Sequence, residues 1–291
     1  MINTSEPGRF SRSWEITKQT FHVMKQDKEI LLFPILSGIF SIILFLIFVF
    51  PFFVAAFVKK SVGGEPLLLY LGIFAFYFIV TFTTVFFNAG VVHIAKTRFE
   101  GKNATFMDGI KAGFRNVGKL IQWALVSATI GLILNILSSK AEQQKGILGL
   151  IARMAVSLIG LAWAIVSVFV VPAMVLKGIG PFSALKQSAM AIKKTWGESL
   201  IRYYGLGLTK LACTVIGGLI LLLPGILIIL GGSLYGLVLI GLFVVYFMIL
   251  SIIFSSANTI FNTALFMYAD SGKVPGAYSK ETLGRAFKKK G

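Results

Sequence analysis

Acidic residues are scarce in this sequence, and none lies in the middle of a long hydrophobic run. The chain has 11 Asp and Glu residues against 28 Lys and Arg residues. Carboxylates inside a membrane commonly carry protons or coordinate coupled cations. Their absence argues against a proton- or sodium-coupled transporter and against a carboxylate-dependent intramembrane hydrolase. All of the acidic residues lie in loops, tails or the polar ends of the runs: Glu6, Glu15, Asp27, Glu29, Glu65, Glu100, Asp108, Glu142, Glu198, Asp270 and Glu281.

Cysteine and histidine are almost missing as well. The single cysteine, Cys213, cannot form an intramolecular disulfide and has no neighbouring Cys or His, so no metal site is expected. Of the two histidines, His22 and His93, the second lies near the end of a hydrophobic run. A side chain reaching the interface is favoured there over a catalytic base. Without a phosphate-binding glycine loop or a nucleotide signature, we expect neither an enzyme nor a bound cofactor.

Long hydrophobic runs dominate the chain. Hydrophobic residues make up 56% of it and charged residues 13%, and its mean hydropathy is +0.86. A helix needs about 20 apolar residues to cross a bilayer. The first run is too long for a signal peptide, so none is expected. The sequence predicts an all-α polytopic membrane protein with six transmembrane helices, in the runs Ile30–Val58, Leu67–Ala95, Leu120–Leu137, Ile147–Leu176, Leu200–Leu230 and Leu234–Ala269.

Positive charge alternates along the chain in register with these runs. The N-terminal segment, the loop after run two, the loop after run four together with the start of run five, and the C-terminal tail hold 23 of the 28 basic residues. The remaining five are Lys59, Lys60, Lys140, Lys145 and Arg153. Because cytoplasmic loops of membrane proteins are enriched in Lys and Arg, we expect an inner-membrane protein with both termini in the cytoplasm.

The same distribution of basic residues indicates which molecules they bind. Basic residues on one membrane face attract anionic lipid headgroups by about 1 kcal/mol each, which explains the pattern better than nucleic-acid binding. Membrane lipids, anionic ones above all, are therefore the expected partners, and no nucleic acid is expected. The alternative is that these charges only set the topology during insertion.

One basic segment, "GPFSALKQSAMAIKKTWGE" at 180–198, has helical periodicity between two hydrophobic runs. Its apolar positions recur at spacings of three and four, which places them on one helical face. Two other segments share the pattern, and Thr105 and Asp108 have the spacing of a capping box at the start of one of them. The three predicted apolar faces are Phe10, Trp14, Thr17, Phe21 and Met24; Phe106, Ile110, Phe114, Val117 and Ile121; and Phe182, Leu185, Ala189, Ile192 and Trp196.

These segments suggest a threefold repeat of an interfacial amphipathic helix followed by a transmembrane hairpin. The repeat units run roughly over 10–104, 105–179 and 180–270, within a single membrane domain at 1–291 that ends in a basic cytoplasmic tail at 271–291. Helices with one apolar and one basic face lie in the headgroup plane. The residues expected to face lipid headgroups are Lys111, Arg115, Lys186, Lys193, Lys194 and Trp196.

Two stretches, "SWEITKQ…KEILLFPILSG" and "VVPAMVLKGIGPFSALKQSAMAIKKTWGE", resemble a family of uncharacterised bacterial six-span membrane proteins. More distantly, the chain is similar to the membrane domain fused to some glycerophosphodiester phosphodiesterases. The most specific positions are Pro181, Ala184 and Ser188, together with the Trp196-Gly197-Glu198 joint. The resemblance implies a fold and a location. Because the segments outside the runs are too short for a catalytic domain, it does not imply phosphodiesterase activity.

Amides and hydroxyls are the remaining polar groups in the runs. They could form a polar seam that admits a lipid headgroup, or they could serve only as interhelical hydrogen bonds. Asn258 and Asn262 are four residues apart and share a helical face. The predicted seam comprises Asn88, His93, Asn135, Asn258 and Asn262, with Thr81, Thr83, Thr84, Ser255 and Ser256 beside them.

Three functional hypotheses remain open. The favoured one is a non-enzymatic inner-membrane protein that binds lipid or takes part in envelope or lipid homeostasis. The alternatives are an oligomeric pore or passive transporter lined by the amide seam, and a scaffold that docks copies of itself or other membrane proteins.

Overall fold

Helices make up the secondary structure of the computed structural model, which describes residues 9–61, 67–195 and 205–278 and contains no strand in that part of the chain. Short 3₁₀ or π-helical turns join some of them. The predicted all-α class is thus confirmed. The helices are α1 Arg9–Gln26, α2 Leu32–Leu44, α3 Phe50–Ser61, α4 Leu67–Phe99, α5 Phe106–Arg115, α6 Val117–Gln143, α7 Gly146–Ser167, α8 Val170–Lys177, α9 Pro181–Thr195, α10 Gly205–Gly217, α11 Leu223–Leu230 and α12 Gly236–Ser271.

Six helical stretches in the described residues are long and apolar enough to cross a membrane. They correspond one to one with the six predicted runs, so that prediction is confirmed. Most ends differ by a few residues from the predicted bounds, and the predicted start of the fifth run, at 200–204, lies outside the described residues. The six spans, numbered in chain order, are Lys28–Ala55, Leu69–Phe99, Val117–Gln143, Gly146–Lys177, Leu206–Leu230 and Gly236–Ser271.

Prolines account for the irregular points of three spans. A proline has no N–H for the carbonyl four residues before it, so the helical ladder is disrupted there. Pro51 and Pro224 each follow a π-helical turn, at Phe45–Val49 and Gly218–Leu222 respectively. Pro172 follows the break between α7 and α8. Span four therefore consists of two helices.

Helix α4 lies at the centre of the bundle and packs against α2, α5, α6, α8 and α12. The buried residues concentrate toward one end of the spans, for example Ala89, Val92 and Ala95 of α4 and Ala257 and Ala264 of α12. Small side chains such as these allow close approach of membrane helices. Large aliphatic side chains are exposed over the rest of the spans, as expected of surfaces that face acyl chains.

Polar contacts join the chain segments at that same end. The Arg98 guanidinium forms an ion pair with Asp27, with Nε and Oδ2 2.6 Å apart. The backbone N–H of Phe106 donates to Glu29 at 2.7 Å. These contacts hold the start of span one, the end of span two and α5 together.

The C-terminal segment is held at the same end. Lys177 at the end of span four forms an ion pair with Asp270 at the end of span six. The hydroxyls of Thr20 on α1 and Tyr278 share a hydrogen bond of 2.9 Å at a buried position. The segments predicted to share one membrane side thus meet at one end of the bundle, and which side that end faces stays a prediction.

Helices α1, α5 and α9 precede spans one, three and five, and in two of them the predicted face is only partly buried. In α9 the buried residues are Pro181, Ala184, Ser188 and Ala191, while Phe182 is 72% exposed. In α5 they are Gly109, Ala112 and Gly113, while Phe114 is 64% exposed. The predicted-face residues that do pack against the core, partly buried, are Leu185 and Ile192 of α9 and Phe106 and Ile110 of α5.

For α1 the prediction holds where the structure describes the side chains. Thr17 and Met24 are buried and Phe21 is partly buried, whereas the side chains of Phe10 and Trp14 lie outside the described part. The threefold repeat and the domain boundaries stay predictions, because the three short helices differ in the face they bury.

Candidate functional site

A polar cavity of about 230 Å³ lies between α4, α6, α7, α8 and α12. Five of its lining residues carry amides or hydroxyls, namely Asn88, Ser127, Ser167, Thr259 and Asn262. None of its lining residues is charged. The apolar part of the lining is Val85, Trp123, Trp163, Val168, Val171 and Pro172.

The cavity lies in the half of the spans nearest the bundle end where the polar contacts join the chain segments. Asn88 lies 11 residues before the end of α4 and Asn262 lies nine before the end of α12. At about 1.5 Å per residue these separations are about 16 and 14 Å. Trp123 lies six residues after the start of α6, or about 9 Å. The cavity is therefore inside the membrane-spanning part, one to three turns from its end.

Two indole rings form one wall of the cavity. Trp123 of α6 and Trp163 of α7 are stacked, with ring centroids 5.4 Å apart and planes 24° from parallel. Trp123 is buried and Trp163 is partly buried. The stacked pair contributes aromatic surface to a lining that also holds the amides of Asn88 and Asn262.

Some polar groups of the lining form hydrogen bonds within the protein, and one has no partner among the described residues. The Thr259 hydroxyl donates to the backbone carbonyl of Ser255 at 3.1 Å and lies 3.3 Å from Oδ1 of Asn88. The Ser167 hydroxyl is buried and has no hydrogen-bond partner among the described residues. Burying a hydroxyl without a partner costs about 1–3 kcal/mol.

The break in span four forms the wall beside Ser167, and α9 supports it. Ser188 of α9 is fully buried. Its oxygen accepts a hydrogen bond from the backbone N–H of Phe169 at 3.2 Å, and its hydroxyl donates to the carbonyl of Val166 at 2.5 Å. Ser188 thus satisfies two backbone groups at the break between α7 and α8.

The predicted polar seam is brought together only in part. Asn88 and Asn262 line the cavity, but Asn258, one turn before Asn262, is exposed. His93 and Asn135 are partly buried and do not line it. Sequence reasoning missed both indoles and both serines of the lining. All four lie within spans three and four, where nothing in their local spacing distinguishes them from packing residues.

Two other residues predicted beside the seam, Thr83 and Ser256, form interhelical hydrogen bonds instead. Such bonding was the alternative interpretation of the polar groups in the runs. The Thr83 hydroxyl donates to the carbonyl of Ile79 at 2.8 Å and lies 2.5 Å from the Ser41 hydroxyl of α2. Ser256 is buried and donates to the carbonyl of Ile30 at 3.4 Å. These contacts fix spans two and six against span one.

An apolar groove of about 420 Å³ lies on the other side of α4, between α2, α4 and α5. Thr83 contributes the only hydroxyl to its lining. Aromatic rings dominate the lining, in a set that includes Phe40, Phe82, Phe86, Phe87, Phe106 and Phe114. The groove thus has the character of an acyl-chain environment.

Glycines bring α5 close enough to form the groove. A Cβ atom on Gly109 would lie 2.5 Å from the Phe33 ring, and one on Gly113 would lie 3.1 Å from the Phe86 ring. The first turn of α5 is fixed by the predicted capping box, now confirmed, in which Thr105 accepts from the backbone N–H of Asp108 and Asp108 from that of Thr105. Hydrogen bonds from Thr105 lower the pKa of the Asp108 carboxyl.

Two of the predicted headgroup-facing cations lie on α5, the helix that forms one wall of this groove. Lys111 and Arg115 are exposed on α5 and are one helical turn apart. Lys111 follows the groove residue Met107 by one turn, and Arg115 follows Phe114 directly. Of the cations predicted on α9, Lys186 and Lys193 are exposed. The side chain of Lys194, and Trp196 as a whole, lie outside the described residues.

Comparison with known proteins gives one match. A family described as "Family of unknown function (DUF6159)" matches residues 67–276. No curated protein and no solved structure matches the chain. The predicted resemblance to an uncharacterised family is therefore confirmed, and the one to membrane domains fused to glycerophosphodiester phosphodiesterases stays a prediction.

Proposed function

Because the chain belongs to this family of unknown function, we propose a role from its own geometry: a non-enzymatic inner-membrane protein that binds an anionic phospholipid. The observation that carries the proposal is the apolar groove between α2, α4 and α5, whose α5 wall also carries the exposed Lys111 and Arg115. An acyl chain occupies the groove, and the phosphate lies at the two cations.

The orientation of α5 supports this proposal. Its small residues Gly109, Ala112 and Gly113 are buried against the bundle, whereas Met107 and Phe114 are more than half exposed. An exposed apolar face beside a basic edge is typical of a helix lying at the level of lipid headgroups. At that depth a cation attracts anionic lipid by about 1 kcal/mol.

Helix α9 supports the same placement at a second position. Phe182 and Met190 are exposed on it, and so are Lys186 and Lys193. These side chains are at the bundle end that also carries α1 and α5. By the charge rule for membrane proteins, this end faces the cytoplasm, where anionic headgroups supply the counter-charge.

Native mass spectrometry of the full chain tests this proposal. The protein is extracted in mild detergent from vesicles of phosphatidylglycerol and phosphatidylcholine, and its retained lipids are counted. We expect a fixed number of phosphatidylglycerol molecules on the wild type and fewer on the double variant Lys111→Gln/Arg115→Gln. Losing two cations at about 1 kcal/mol each corresponds to a roughly 30-fold loss of affinity.

A matched control removes the same charge at the opposite end of the bundle. Lys140→Gln/Lys145→Gln replaces two exposed cations, one in the last turn of span three and one just before span four. The proposal requires this variant to retain phosphatidylglycerol as the wild type does. An equal loss in both double variants would contradict it, and a defined oligomer that carries no lipid would favour the pore or scaffold instead.

A further inference from the structure

We propose that the polar cavity between α4, α6, α7, α8 and α12 is a second binding site, one that takes a small uncharged polyol group. It is separate from the groove, because Val85 and Asn88 line the cavity from one face of α4, whereas Phe82 and Phe86 line the groove from another. The two sites can therefore be tested independently.

The charge of the lining determines the charge of the occupant. No acidic or basic side chain lines the cavity. An ion buried in the apolar interior of a membrane protein without a counter-charge is strongly disfavoured. The cavity therefore selects against inorganic ions, phosphate and carboxylates, and it accepts a neutral group.

The hydrogen-bonding capacity of the lining determines the chemistry of the occupant. Asn88 and Asn262 each provide an amide oxygen that accepts and an NH₂ that donates, while the serine and threonine hydroxyls can do either. A group that carries several hydroxyls matches such a mixed surface, since every hydroxyl also donates and accepts. Ser167, another lining residue, has a hydroxyl without a hydrogen-bond partner among the described residues.

The wall and the volume limit the size of the occupant. The stacked indoles of Trp123 and Trp163 offer an apolar surface against which the C–H groups of a polyol can pack. The volume of about 230 Å³ holds about eight water molecules at roughly 30 Å³ each. This space suits a polyol of three to six carbons. Free glycerol and the glycerol headgroup of phosphatidylglycerol share this chemistry.

Saturation-transfer NMR with glycerol as the probe tests the proposal. The full chain is held in phosphatidylcholine nanodiscs and titrated with glycerol, and 1-propanol serves as the comparison that lacks two hydroxyls. We expect a saturable signal from glycerol and a non-saturable one from 1-propanol. If glycerol gives no saturable signal, the cavity holds water only and the proposal is wrong.

Matched variants on one helix assign the signal to the cavity. Asn262→Leu removes a lining amide, whereas Asn258→Leu removes an exposed amide one turn away. We expect about tenfold weaker binding in the first and unchanged binding in the second. Ser167→Ala removes a single lining hydroxyl and should also weaken glycerol binding. It replaces Asn262→Leu as the test variant if Asn262→Leu does not fold. Equal binding by all variants would overturn the assignment.

The source of the polyol is distinguished by changing the lipid. In phosphatidylglycerol nanodiscs, a headgroup occupant competes with added glycerol, so the glycerol signal falls in the wild type. A free polyol as the occupant leaves the signal the same in both lipids. Lys111→Gln/Arg115→Gln should keep the glycerol signal, since those side chains lie on α5, which lines the groove and not the cavity. Loss of the glycerol signal in that variant would contradict the independence of the two sites.

Discussion

Ser188 joins α9 to the interrupted backbone of span four: its oxygen accepts from the N–H of Phe169, and its hydroxyl donates to the carbonyl of Val166. The break is also where Ser167 lines the polar cavity. A short basic helix outside the spans is therefore fixed directly to a cavity wall within them.

Replacing Ser188 by alanine should destabilise the protein. The change removes two hydrogen bonds at a fully buried position, so we expect a loss of about 1–3 kcal/mol in the free energy of unfolding. Unfolding in mixed micelles, followed by circular dichroism, measures it. Ser183→Ala, at an exposed position of the same helix, is the control and should change stability by less than about 0.5 kcal/mol. Similar losses in both variants would refute the role of Ser188.

Helix α4 should not tolerate a side chain at Gly90. A Cβ atom there would lie 2.2 Å from the Phe33 ring, and overpacking a core typically costs about 1–3 kcal/mol. Gly90→Ala should therefore lower the thermal unfolding temperature. Gly241→Ala, which has open space around its position in α12, should leave it unchanged or raise it through better helix propensity. If Gly90→Ala were as stable as Gly241→Ala, the close packing of α2 on α4 would be wrong.

The buried hydroxyl of Tyr278 should make the stability of the folded protein fall at alkaline pH. Burial raises the pKa of Tyr278, and the hydrogen bond with Thr20 lowers it by less. A raised pKa in the folded state gives stability that is fully present below the unfolded pKa of about 10 and is lost as pH rises through the folded value. Thermal unfolding at pH 8 and pH 11 should show a larger loss for the wild type than for Tyr278→Phe. The same loss in both proteins would contradict burial of this hydroxyl.

Filling the groove should displace lipid without removing charge. Ile110 lines the groove from α5, so Ile110→Trp should reduce the phosphatidylglycerol count in native mass spectra while Lys111 and Arg115 remain. Leu125→Trp adds the same bulk at an exposed position of α6 outside the groove and should keep the count of the wild type. A wild-type count in Ile110→Trp would show that lipid is held by charge alone.

The sequence predicts the six spans well because run length and hydropathy depend on composition alone. Pro51, Pro172 and Pro224 also mark where the helices become irregular, since a missing N–H acts locally. Which side chains of α5 and α9 are buried is harder to predict. Near a membrane, large residues such as Phe114 and Phe182 face outward, and small ones such as Ala184 face inward, which reverses the rule for water-soluble helices.

The cavity could be predicted only in part for a related reason. Asn88 and Asn262 are noticeable as amides within hydrophobic runs. Trp123, Trp163 and Ser167 come from other spans, whose rotation about their axes depends on packing against several neighbours. Nothing local in the sequence specifies that rotation, so these residues could not be assigned to one cavity beforehand.

Photo-crosslinking with a phosphatidylglycerol that carries a diazirine in its acyl chain tests the central claim of a lipid-binding groove most directly. We expect adducts concentrated on groove residues of α4 and α5, such as Phe82, Phe86 and Met107, and fewer of them in Lys111→Gln/Arg115→Gln. Adducts spread evenly over exposed apolar residues such as Leu158 and Val245, with no preference for the groove, would contradict it.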